Sequence, residues 1–126
     1  MQLASRAYDV DDIMSFQELY HSRGWTDGMP IVPPTPEAVS ACLEWALMLP
    51  DQLIGIEPVR ARSVTAEKVA INAVMAGCLP MHFPAVVTAW SALLREEFLL
   101  HGASASTGGC AIFVVINGDI RHEIGA

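Results

Sequence analysis

The chain has 126 residues, 52% of them hydrophobic, with a mean hydropathy of +0.38 and a net charge of −7. That length implies one domain with room for a real core. The acidic balance argues against nucleic acid as a partner, because phosphates call for a basic surface. No apolar run approaches the roughly 18 residues that a bilayer span requires, so no membrane is expected.

Met1–Val10 reads as a loose lead-in. Asp11 or Asp12 can cap a helix through Ile13, Phe16, Leu19 and Tyr20, whose spacing of three and four marks an amphipathic helix. Gly24 is its expected stop. Gly24–Pro34 (GWTDGMPIVPP) is too rich in turn residues and proline for a helix. It is either an extended arm packed by Trp25, Met29, Ile31 and Val32, or a pocket rim presenting Trp25, Thr26 and Asp27.

Thr35-Pro36-Glu37 opens a second helix with a cap, an early proline and an early acid. Its predicted inner face is Val39, Cys42, Leu43, Ala46 and Leu47. Partial alternation then predicts strands near Leu53–Ile56 and Val59–Ser63. Arg60 and Arg62 on the second strand would share a face, as an anion grip or as surface ion pairs.

The chain is organised around Thr65–Trp90, two apolar helices joined at Gly77-Cys78-Leu79-Pro80. Val69, Ala70, Ala73, Val74 and Ala76 make the first small-sided and apolar nearly all round, so buried on most faces. Asn72 needs a partner there, either a loop or a ligand. The second helix is expected over roughly Pro84–Leu100, with Val86, Val87, Trp90, Leu93, Leu94 and Phe98 inward.

His101–Gly109 (HGASASTGG) lacks the ending of a phosphate-binding P-loop and the dinucleotide fingerprint. Its backbone and the hydroxyls of Ser104, Ser106 and Thr107 can still cradle a small anion; the alternative is a flexible linker. Cys110–Ile116 (CAIFVVI) reads as a strand buried on both faces, followed by an Asn117-Gly118 turn. Asp119–Ala126 ends without a clear stop, as if its continuation were supplied in trans. The expected fold is α+β or α/β, with about four helices on a small sheet and a central apolar helical hairpin.

Three cysteines cannot all pair, no CxxC is present, and the N-terminus carries no signal pattern. Free thiols and a cytoplasmic location are the expectation. Cys78 is the candidate nucleophile, lying just before a helix N-terminus, with His82 as acid or base. The alternative is that Cys78 only fills a tight corner. The four histidines fit no metal-ligand spacing, and the sequence leaves open which cofactor, if any, is used and whether a partner brings a metal. The surplus of apolar residues points to a protein interface.

Three blocks carry a resemblance: Gly24–Val39, Thr65–Val87 and Gly102–Gly125. Together they resemble a poorly characterised bacterial family associated with proteins that carry a UGSC motif (selenocysteine or cysteine, then Gly-Ser-Cys), described as thiol or seleno redox proteins. The resemblance spans most of the chain from Gly24 onward. It places Asp27, Asn72, Cys78, His82, Ser104, Ser106, Thr107 and Asn117 in matching blocks, without assigning catalysis to any of them. Family members continue beyond the equivalent of Gly125, and the UGSC motif is absent here. The resemblance therefore implies a subunit completed by a second polypeptide. Such a subunit would bind a small anionic organic molecule in a cavity between the Gly77–His82 corner and the His101–Gly109 loop, for thiol-dependent redox or bond-cleaving chemistry, or would act as a non-catalytic assembly partner.

Overall fold

A computed structural model describes residues 1–125. The element order is α1 (Ile13–Ser22), α2 (Pro36–Trp45), β1 (Leu53–Glu57), β2 (Arg62–Thr65), α3 (Ala66–Met75), α4 (Phe83–Leu93), α5 (Leu100–Ser104) and α6 (Ile120–Glu123). Single 3-10 turns occupy Pro80–His82 and Glu96–Phe98. The mixture of helices with one small sheet is α+β; the helices outnumber the expected four because the last two are one-turn pieces.

α3 is the centre of the core. Ala66, Val69, Ala70, Ala73 and Val74 are buried, and their small side chains let α2, α4 and β2 pack against it. Val39, Cys42 and Leu43 come from α2, and Phe83 from the start of α4. Phe83 and Leu43 are fully buried, each contributing about 1.5–3 kcal/mol through the surface it removes from water. β1 and β2 form an antiparallel hairpin, with Leu53 opposite Thr65, Glu57 opposite Arg62, and an irregularity between Leu53 and Gly55. A Cβ at Gly55 would stand 2.8 Å from Leu94 Cδ1, so glycine is what lets β1 lie against the end of α4.

α1, α2 and α3 end in the same way. In each, the residue two past the C-terminal end of the helix is in a left-handed conformation: Gly24 (φ 64°), Leu47 (φ 54°) and Gly77 (φ 85°). The next residue's N–H then bonds back to the helix, from Trp25 to the Tyr20 carbonyl, Met48 to Leu43 and Cys78 to Ala73. This is the Schellman closure, which satisfies carbonyls that the helix leaves unpaired and is accompanied by an apolar contact.

Several expectations are corrected. Leu47 is 93% exposed, because its left-handed backbone turns it off the buried face of α2. The long helix expected to reach Leu100 stops at Leu93, breaks into a 3-10 turn, and restarts after Leu99 in a left-handed conformation. Phe98, expected inside, is exposed as a result. The lead-in is not loose throughout: the N–H groups of Ala4 and Ser5 donate to the Glu67 carboxylate at 2.9 and 2.7 Å. The second strand lies at Arg62–Thr65, so Arg60 falls in the hairpin turn, where its N–H meets Glu57. Cys110–Ile116 does not form a strand. A strand needs a neighbour for its amides, and among the described residues none lies beside it.

Candidate functional site

Cys78 occupies the closing position of the α3 terminus, where Met48 stands at the end of α2 and Trp25 at the end of α1. That position calls for an apolar side chain folded back onto the helix. Cys78 is accordingly half-buried and packs against the core cluster containing Cys42. Cys42 is 0% exposed, and burial, with a smaller contribution from the neighbouring Cys78, pushes its thiol pKa up. Cys110 is exposed, and all three thiols are free.

His82 is engaged at both ring nitrogens. Nδ1 accepts the Leu79 N–H at 3.0 Å, and Nε2 lies 3.0 Å from the Ile124 carbonyl. An amide can only donate and a carbonyl can only accept, so this arrangement uses the tautomer with its proton on Nε2. Neither nitrogen is left for the Cys78 thiol in this arrangement. The ring instead ties the corner to the C-terminal turn, whose Ile124 is buried.

The remaining candidates make local hydrogen bonds or none among the described residues. Asn72 is exposed and its Nδ2 donates to the Lys68 carbonyl at 2.8 Å, a bond within its own helix. Asp27 is exposed and accepts the Met29 N–H at 3.1 Å, while Thr26 donates to the Met29 carbonyl at 2.8 Å, which makes this stretch a self-bonded turn. Ser104 donates to the Leu100 carbonyl at 2.6 Å, and Ser106 accepts from Gly108 at 3.4 Å. Thr107 and Asn117 are exposed. Trp25 stacks edge-on against Tyr20 (5.1 Å) and Tyr8 (5.5 Å), with the Arg23 guanidinium 5.9 Å from its ring. Those contacts hold the Trp25 ring at the end of α1, but Trp25, Met29 and Val32 are exposed, so the segment is not an arm packed by its four apolar residues.

Two concave regions stand out, and neither is lined by the corner. One, about 500 Å³ and widely open, lies between Tyr8–Asp11 and α1. The other, about 180 Å³, lies between Pro58-Val59 and the Leu93–His101 segment. Beside it, Glu57 accepts the N–H groups of Val59 and Arg60, which hold its carboxyl below the usual range, and His101 stands 4.0 Å away. Among the described residues no group of His, Cys, Asp or Glu is arranged to hold a metal ion, and no helix is long and apolar enough to cross a membrane.

Sequence reasoning passed over Glu67 and Ile124. Glu67 is only 3% exposed, a carboxylate within the core-facing side of α3. Burial pushes its pKa up, but hydrogen bonds from Ser5 and Ala4, aided by Lys68, outweigh that and leave it lowered. The available signal was an acid inside an otherwise apolar helix; without its N-terminal partners it reads only as a first-turn acid.

The largest unexplained feature is surface. A compact monomer of 13.6 kDa exposes about 6,600 Å². This chain exposes 8739 Å², roughly 2,000 Å² beyond that scaling. Ile112, Phe113, Val114 and Val115 are all exposed, Phe113 at 88%. Among the described residues, the backbone of Ala111–Asn117 makes no hydrogen bond. The chain matches no protein family, no curated protein and no solved structure with which it was compared.

Proposed function

We propose that this chain is an assembly subunit, a protein whose apolar surface is covered by another polypeptide in its working form. The observation that carries this is the surface excess of roughly 2,000 Å² over a compact monomer. A standard interface takes about 800 Å² from each partner, and obligate ones take more. The uncovered area is therefore the size of a permanent contact, and it includes large apolar side chains that water disfavours. The test is the native mass of the particle isolated from its source under non-denaturing conditions. A mass well above 13.6 kDa is expected; a stable particle of 13.6 kDa ends the reading.

A second reading keeps Cys78 as a nucleophile toward a small anionic organic molecule, in thiol-dependent redox or bond-cleaving chemistry. What favours it is the partial exposure of the Cys78 thiol, a few residues before the start of α4. His82 would then act only after releasing Leu79 or Ile124. Alkylation of the native particle followed by peptide mapping tests it: rapid, activity-destroying modification of Cys78 supports it, and an inert Cys78 removes it.

A further inference from the structure

We infer that Cys110–Ile116 is a β-strand in waiting, and that its partner is the same segment of a second copy of this chain, paired antiparallel about a two-fold axis. The inference rests on the assembly reading and says which surface makes the contact and with what.

Three observations point to a strand edge rather than to an apolar groove or a membrane surface. The residues are those that favour strands: Ile112, Phe113, Val114, Val115 and Ile116 in succession. Four of them are exposed. The backbone of Ala111–Asn117 is without hydrogen bonds among the described residues, so it offers a row of free donors and acceptors. A groove would cover the side chains and leave these groups unpaired. Another extended strand pairs the groups along one edge and gives the side chains apolar cross-strand neighbours.

Charge and symmetry select a second copy. Each chain carries a net charge of −7, so two copies repel over most approaches. The stretch Gly102–Gly118 holds no Asp, Glu, Lys, Arg or His, and copies meeting there desolvate no charge. An antiparallel pair of identical strands is its own two-fold complement, the commonest geometry of soluble oligomers. The register that pairs the whole apolar run is centred on Phe113. It sets Phe113 opposite its own copy, Ile112 opposite Val114, Ala111 opposite Val115 and Cys110 opposite Ile116. Every facing pair is then apolar. The area that seven paired residues bury leaves part of the surface excess for further contacts alongside.

The experiment is sedimentation of the purified full chain over a concentration series reaching about 100 µM, where a micromolar dimer saturates. It is run beside hydrogen exchange of the Ala111–Ile116 amides. A particle of twice 13.6 kDa is expected at high concentration, with alternate amides of that segment protected there and exchanging freely on dilution. Val114→Pro and Val115→Pro each remove one N–H, and because alternate amides face the partner one of the two lies in the ladder; that one, and Phe113→Glu, which places a charge on the axis, are each expected to weaken self-association at least tenfold. A chain that stays at 13.6 kDa throughout overturns the second copy, and so does a particle that forms only with a different polypeptide; in the latter case the assembly reading stands. A dimer in which neither alternate set of the Ala111–Ile116 amides is protected, or that survives both proline substitutions unchanged, overturns the strand pairing alone. Should a variant unfold, the concentration dependence of exchange in the unaltered chain decides by itself.

Discussion

His82 holds Ile124: its Nε2–H donates to the Ile124 carbonyl across 3.0 Å, while Nδ1 accepts the Leu79 N–H. One ring thus braces the corner after α3 and fastens the C-terminal turn to it, 42 residues along the chain. Between α5 and α6 lies a stretch without regular structure, so the C-terminal turn is held by this bond together with the buried Ile124 side chain. His82→Leu keeps the apolar bulk and removes both bonds. The expected cost is about 1–3 kcal/mol, the range for stranding partly buried polar groups. Denaturant unfolding measures the loss. Hydrogen exchange is expected to quicken from Ile120 to Ile124 while α2 and α3 stay protected; unchanged exchange there would show that the turn is held by other means.

Leu47 and Gly77 stand at equivalent places, each left-handed at the end of a helix with the same back-bonds. A left-handed conformation costs a side-chain-bearing residue roughly 1–2 kcal/mol, and glycine nearly nothing. Leu47 is 93% exposed, so its side chain returns little in packing. Leu47→Gly is therefore expected to stabilise the fold by up to about 1 kcal/mol, after allowance for glycine's freer unfolded chain. Gly77→Ala should destabilise by about 1 kcal/mol, and not through a clash, since the nearest atom to the added Cβ is Val32 Cγ2 at 4.0 Å. Thermal unfolding of the two variants, shifting in opposite directions, checks the pair.

Those helix ends mark how far local sequence reaches. Asp12, Thr35, Gly24 and Gly77 were legible because caps and left-handed stops act within one turn of chain. Leu47 was not, because nothing in a leucine announces a left-handed backbone; the buried Leu43–Met48 closure imposes it. Cys110–Ile116 departs from its expected strand for the complementary reason. Its residues favour a strand, but a strand is a property of two segments, and the second is not among the described residues. The proposed pairing of Cys78 with His82 relied on their closeness in sequence. The structure turns the histidine to backbone partners, one of them 42 residues away, which spacing cannot reveal.

Glu67 makes the N-terminal segment dependent on pH. Its carboxylate accepts the Ala4 and Ser5 N–H groups, and Lys68 Nζ donates to Ser5 Oγ at 2.9 Å. The folded pKa lies below the ordinary 4.5. A depressed carboxyl contributes stability that is complete above its unfolded value and is lost as pH falls through its folded one. Unfolding free energy is thus expected to level off above about pH 5 and to decline below pH 4.5. Glu67→Gln should flatten that decline and lower stability at neutral pH by about 1–3 kcal/mol, since the amide offers one oxygen where Ala4 and Ser5 each use their own, and sets its NH2 against the other N–H. Equilibrium unfolding of both proteins across the acid range supplies the comparison; parallel curves would assign the acid response to other carboxylates.

Cysteine accessibility separates the corner's packing from its chemistry. Cys42 is wholly enclosed between α2 and its neighbours, and burial raises its thiol pKa, so it presents little thiolate and no path to a reagent. Cys78 is partly covered, and Cys110 is open in the single chain. With iodoacetamide at neutral pH and high dilution, Cys110 should react first, Cys78 more slowly, and Cys42 only at the rate of unfolding, observed by peptide mass mapping over time. Cys78→Ala, which shortens the residue closing the α3 terminus, is expected to cost about 1 kcal/mol because a small apolar contact is lost while the Cys78–Ala73 backbone bond remains. If Cys78 instead outpaces the exposed Cys110, its thiol is activated by its surroundings, and the corner regains its claim to chemistry.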